Sequence, residues 1–240
     1  MVEAALLWGS IIAAAAGFMR GFAGVGSGML MAPFFVHLFG AVETVAIIIC
    51  MEIVVTAQLL PSVWKAIDWR LIVPIAGAAA VCMPLGTWLL VDLDAAIAGR
   101  IVALVVIIFA AVLLAGWRYR GPRPLPLSMG IGTVSGVLMA LTSLGNPPVM
   151  IYLLSSGDSA ARNRANFTGY FGLTLTALIA MMAFGGLIDR TSVVNAGIML
   201  PVFMLAAWAG ARLFRKANED LYRKVALGIL LAAGVIALLR

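Results

Sequence analysis

The sequence predicts an all-α polytopic membrane protein made of two inverted repeats, and three observations predict it. Of the 240 residues, 64% are hydrophobic and only 11% are charged, with a mean hydropathy of +1.12; soluble domains carry about 25% charge. Several apolar runs reach or pass the roughly 18 residues that a helix needs to cross a bilayer. Two stretches, one in each half, interrupt this apolar text with glycine, proline and small polar residues. Each repeat is expected to hold one broken or re-entrant helical hairpin and three transmembrane helices, about eight membrane segments if each hairpin is counted once.

Six continuous spans are predicted, at 43–60, 71–91, 98–117, 165–184, 192–213 and 221–240. Residues 4–40 do not fit one span, because about 37 residues at 1.5 Å each give about 55 Å against a core of about 30 Å. Cut at the glycines, the pieces 4–19 and 28–40 are about 24 and 20 Å long, each short for a crossing. Residues 127–157 repeat the pattern, broken by "LTSLGNPP", Leu141 to Pro148. The first apolar run lacks the basic flank of a signal peptide and is followed by equally apolar segments, so it is expected to stay as structure. No polar stretch is long enough to suggest a soluble domain.

The two interruptions align. "GFMRGF" (17–22) matches "GTVSGV" (132–137), and "GMLMAPFFVHLFG" (28–40) matches "GNPPVMIYLLSSG" (145–157). "GTWLLVDLDAAIAGR" (86–100) resembles "GARLFRKANEDLYRK" (210–224) in pattern. The whole chain is one membrane domain, with repeat one at 1–117, a basic, proline-rich linker at 118–125 and repeat two at 126–240. Charge decides how the halves face. If each broken stretch crosses once, seven Lys and Arg lie on one side and eight on the other. If each is a hairpin that returns to its own side, Lys65, Arg70, Arg118, Arg120, Arg123, Arg162, Arg164, Arg212, Arg215, Lys216, Arg223 and Lys224 share one side. Arg100, Arg190 and Arg240 then lie opposite. Twelve against three obeys the positive-inside rule. It puts both termini outside the cytoplasm and gives each half three crossings, so the halves are inverted. The net charge of +6 lies in the loops, so topology explains it and nucleic acid is not expected as a partner.

The first break, "GFMRGFAGVGSGMLMAP" (Gly17 to Pro33), resembles the first signature of the TauE/SafE-type sulfite exporter family. That pattern is a glycine-rich turn, an apolar run and a proline, repeated in the second half. Here the second copy is degenerate and reads "LTSLGNPPVMIYLL". The resemblance implies a transporter of small sulfur-containing anions (the sulfite, thiosulfate or organosulfonate class) in the inner membrane of a prokaryote, with no cofactor. It fixes neither substrate nor direction.

The residues themselves suggest how such a site works. Unwound backbone at membrane depth is tolerated only in a protein interior or lining a cavity. Gly24, Gly26 and Gly28 allow close approach to a ligand, and helix starts near Gly28 and Pro147 would aim free N–H groups at an anion. Arg20 adds a forked cation suited to oxyanions. Two roles are open to it, anion ligand or structural clasp for Glu52. The glycines have the alternative of close helix packing. Ser27 at the first tip, and Thr142, Ser143, Gly145 and Asn146 at the second, either donate to substrate oxygens or cap helices. Glu52, about 13 Å into its span, is either a coupling group or the partner of Arg20. Asn166, Thr168 and Tyr170 either line the inner pathway or satisfy one another between helices.

His37 and Trp64, Trp69, Trp88, Trp117 and Trp208 are expected at the interfaces, and Cys50 and Cys82 as buried small hydrophobes. No metal-ligand cluster and no acid–base partner for the single histidine are evident, which argues against an enzyme. A carrier is the first reading and an anion channel using the same Gly/Arg site the alternative. The expected partners are a small anionic substrate and membrane lipid; a homo-oligomer is compatible with the sequence.

Overall fold

A computed structural model describes residues 2–93, 121–142, 146–154 and 158–215, with isolated positions between 93 and 121. The predicted spans 221–240 and most of 98–117 lie outside the described residues, as does most of the linker. Among the described residues the chain is helical throughout: α1 (Val2–Ala23), α2 (Ser27–Phe39), α3 (Ala41–Val63), α4 (Trp69–Asp92), α5 (Leu125–Thr142), α6 (Asn146–Leu154), α7 (Ala160–Phe184) and α8 (Arg190–Phe214), with one 3₁₀ turn at Trp64–Ala66. Helices α1, α3, α4, α7 and α8 are long and apolar enough to cross a membrane.

Helices α3, α4, α7 and α8 each contain a predicted span and extend it by a few residues. Polar caps set several ends. Asp68 accepts from the Leu71 N–H at the start of α4, Ser159 from Arg162 at the start of α7 and Asp189 from Ser192 at the start of α8.

Both broken stretches are antiparallel hairpins. Gly9, near the start of α1, lies against the Phe39 ring at the end of α2. Ser128, near the start of α5, is 2.7 Å from the Tyr152 hydroxyl near the end of α6. The first break is narrower than predicted. Helix α1 continues through Gly17 and Gly21 for 22 residues, about 33 Å, and only Gly24 (φ +78°) and Gly26 (φ +100°) leave the helix. Gly28 is inside α2. The 13 residues of α2 give a return arm of about 20 Å, and the 9 residues of α6 one of about 14 Å.

The reason Gly17 and Gly21 stay helical is their neighbour. A Cβ on either would overlap the carbonyl oxygen of Phe203 or Ala207 on α8. Bare glycine faces let the two backbones touch. Gly132 and Gly136 on α5 do the same against the carbonyls of Ile75 and Ala79 on α4. These are the glycines that the alignment of 17–22 with 132–137 pairs. The entering arm of each hairpin therefore packs along a long helix of the opposite half, α1 on α8 and α5 on α4. Helices α3 and α7 pack on each other between them.

Side chains on the outer surface are apolar, including Val81, Trp88, Phe184 and Leu205. Trp64 and Trp69 stack at the α3–α4 turn, and His37 is exposed on α2. Cys50 and Cys82 are free and only half-buried, not fully buried as predicted, because each faces partly outward from its helix.

Candidate functional site

The first tip is organised around one cation. Arg20 lies one turn before the end of α1 and is completely buried. Its Nε donates to Glu52 Oε2 at 2.8 Å, one terminal nitrogen to the Gly24 carbonyl and the other to Thr56 Oγ1 at 2.8 Å. The guanidinium lies 4.2 Å from the centre of the Phe171 ring on α7. Glu52, 2% exposed on α3, receives the Ser27 hydroxyl on its other oxygen. The carboxylate thus bridges the end of α1 and the first residue of α2.

Local sequence explains this geometry. Positive φ at Gly24 and Gly26 reverses the chain within three residues, which a residue with a Cβ would resist. The reversal turns the Gly24 carbonyl back onto Arg20. No side chain caps the start of α2, because Gly26 stands at the N-cap. Its first N–H groups gather beside the ion pair. The arrangement pairs a desolvated cation with a displaceable anion at a helix N-terminus, and that combination can accept an oxyanion in place of the carboxylate.

The predicted site residues of the first tip, Arg20, Gly24, Gly26, Ser27 and Gly28, come together with Glu52, and all are buried. At the second tip, Ser143 and Gly145 lie outside the described residues. Asn146 opens α6 and Pro147 follows it in the first turn, where proline is tolerated. The three polar residues of α7 take different partners. Asn166 Oδ1 accepts the Asp68 N–H at 2.8 Å, which ties α7 to the α3–α4 turn. Thr168 donates to the Arg164 carbonyl of its own helix. The Tyr170 hydroxyl is buried without a hydrogen-bond partner among the described residues.

Arg164 corrects the sequence reading. It was counted among the loop cations, yet it is only 7% exposed. Its Nε and Nη2 donate to the Gly21 carbonyl at 3.2 and 2.9 Å, and its stem lies against Gly24, where a Cβ would meet Cγ at 2.8 Å. The guanidinium stacks 4.9 Å from the Phe214 ring. Four residues into α7, it reaches inward because α1 ends there and leaves carbonyls to satisfy. The neighbouring Arg162 stays outside, 3.8 Å from Asp68. The one sequence signal is position. In "RNRANF" Arg164 is two residues further into the helix than Arg162 and so on a different face.

At the second hairpin, Arg123 from the linker donates to the carbonyls of Tyr152 and Leu153 at the end of α6 and pairs with Asp158 at 3.4 Å. It complements the negative end of that helix. No group of three or more His, Cys, Asp or Glu side chains converges to hold a metal among the described residues.

Apolar helices, two broken hairpins and a buried ion pair at a tip define a membrane transporter. The chain belongs to the sulfite exporter TauE/SafE family, whose model matches residues 10–237. Members of this family are exporters, not enzymes. Over 225 residues, 90% of this chain and 83% of the relative, it is 28% identical to a protein of Cupriavidus necator described as a probable sulfite/organosulfonate exporter, TauE. No solved structure matches the chain.

Proposed function

We propose that the protein is a secondary transporter of a small sulfur-containing anion of the sulfite, thiosulfate or organosulfonate class, working by alternating access between two inverted repeats. One observation carries the site: Arg20, fully enclosed, is held at a helix break beside the uncapped start of α2. An intramembrane cation is costly and marks a substrate path by default. The resting protein keeps Arg20 neutralised by Glu52. The anion binds by taking the place of the carboxylate on the guanidinium, and Ser27 and the N–H groups of α2 complete its shell. Glu52 is then released to take up a proton, which couples transport to the proton gradient. Gly24, Gly26 and Gly28 admit the ligand to the backbone. Ser143, Gly145, Asn146 and Pro147 form the opposing tip, and Asn166, Thr168 and Tyr170 line the inner pathway.

The inverted arrangement is supported by the reciprocal packing of α1 on α8 and of α5 on α4 through paired glycines. The basic asymmetry supports it too, since burial of Arg164 leaves eleven loop cations facing three. Both termini are then extracytoplasmic. Reporter fusions at Arg240 test this: a periplasm-dependent phosphatase should be active there, and a cytoplasm-dependent reporter active at Arg240 would rule the inversion out.

Flux decides the class. In liposomes, uptake of radiolabelled sulfite should saturate and should accelerate when unlabelled sulfite is loaded on the far side. A flux that rises linearly and ignores the far side would make the protein a channel.

A further inference from the structure

Ser135 on α5 and Tyr170 on α7 are both completely buried. The Ser135 hydroxyl lies beside the Tyr170 phenol, yet neither completes a hydrogen bond with any described residue. Buried polar groups are nearly always paired, and an unpaired one is expensive. Two such hydroxyls side by side make a place where an acceptor belongs.

Their position in the repeat is informative. Matching "GFMRGF" with "GTVSGV" sets Ser135 opposite Arg20. The flanking glycines behave alike in both copies, each pair resting on the carbonyls of a helix from the other half. The partners correspond as well. Arg20 faces Glu52 and Thr56, one turn apart on α3, the first long helix after its hairpin. Ser135 faces Tyr170, one turn before Thr174 on α7, the first long helix after the second hairpin. The second half therefore repeats the Arg20–Glu52 contact in neutral form. Both residues are about ten positions past the start of their helices, or about 15 Å by helical rise, half the thickness of a core of about 30 Å. The neutral and charged places are neighbours. The Phe171 ring lies 4.2 Å from the Arg20 guanidinium carbon and 6.1 Å, centre to centre, from the Tyr170 ring.

We propose that the Ser135 and Tyr170 hydroxyls donate to oxygen atoms of the transported sulfur oxyanion, forming the neutral half of a substrate site whose charged half is Arg20. The proposal rests on the transport reading given above. A sulfite or sulfonate group offers three acceptor oxygens, more than one forked guanidinium uses. Hydroxyl donors satisfy the remainder without a second cation, so the anion is recognised but not trapped. The same two donors are idle when the site is empty, as they are here.

The test uses the full-length protein in detergent, with sulfite affinity by calorimetry and melting followed together. Ser135→Ala and Tyr170→Phe should each weaken sulfite binding about tenfold, the effect of one hydrogen bond to a charged group. Melting temperatures should stay level or rise, because each change removes an unpaired buried hydroxyl. A purely structural pair would give the reverse, lower melting with unchanged affinity. Wild-type sulfite affinity in the double variant Ser135→Ala, Tyr170→Phe would overturn the proposal. Failure of the transport reading shows elsewhere: the unmodified protein would bind neither sulfite nor an alkylsulfonate, and the proposal would fall with it.

Discussion

Arg20→Gln should lose about 3–5 kcal/mol of stability, because it leaves Glu52 charged, buried and held only by Ser27. Glu52→Gln should cost a similar amount, since Arg20 keeps the Gly24 carbonyl, Thr56 and the Phe171 face but no counter-charge. The double variant Arg20→Gln, Glu52→Gln should recover most of the loss, because two amides can bond to each other without a desolvated charge. Anion binding separates ligand from clasp. It should vanish in Arg20→Gln and remain absent in the stable double variant. Glu52→Gln should respond most strongly to sulfite, because the competing carboxylate is gone. At 100 times its Kd, sulfite should return about 2.7 kcal/mol of stability to that variant. Melting curves with and without sulfite measure all four proteins. A double variant that still binds sulfite would make Arg20 a clasp and nothing more.

The second large effect concerns backbone contact. Gly21→Ala places a methyl group into the Ala207 carbonyl of α8, with the Ala207 Cα only 2.8 Å away. Nothing flexible is available to give way, so the helices must separate. The cost should reach the upper part of the 1–3 kcal/mol range for overpacking or pass it. Gly136→Ala should behave alike against Ala79 on α4. Gly77→Ala and Gly197→Ala are the controls, because a Cβ at either meets nothing within 4 Å. They should be neutral or slightly stabilising, as alanine is the better helix former. Equal melting of Gly21→Ala and Gly77→Ala would show that α1 and α8 are not in the close contact described.

These two experiments mark the line between what sequence makes legible and what it does not. Long helices were plain, because 18 or more apolar residues in a row leave few alternatives. The breaks were plain too, but not their width. Gly17, Gly21, Gly24, Gly26 and Gly28 look equivalent in one dimension. Only Gly24 and Gly26 take positive φ, and Gly17 and Gly21 are helical because α8, far along the chain, lies against them. The Arg20–Glu52 pairing was one of two open readings, since a buried arginine and the single acid at its depth have few other partners. Ser135 carried no signal. A serine in an apolar helix is unremarkable until Tyr170 is beside it. Arg164 was misread for the converse reason. A cation at a helix start looks solvated unless the end of another helix is known to wait there.

The reciprocal packing of the hairpins also bears on biogenesis. The α1–α2 hairpin is among the first parts of the chain to leave the ribosome, yet α8, on which α1 rests, is among the last described. At about 5–20 residues per second, the first hairpin waits on the order of 10–40 s for its partner. During that interval it is an unfinished element carrying an arginine in a bilayer. Glu52 follows Arg20 by only 32 residues and emerges long before α8. The ion pair can therefore close while the chain is still being made, and it neutralises the charge that would otherwise expel the hairpin from the membrane. The contact that holds the empty transporter at rest is also the one that lets its first segment survive insertion alone.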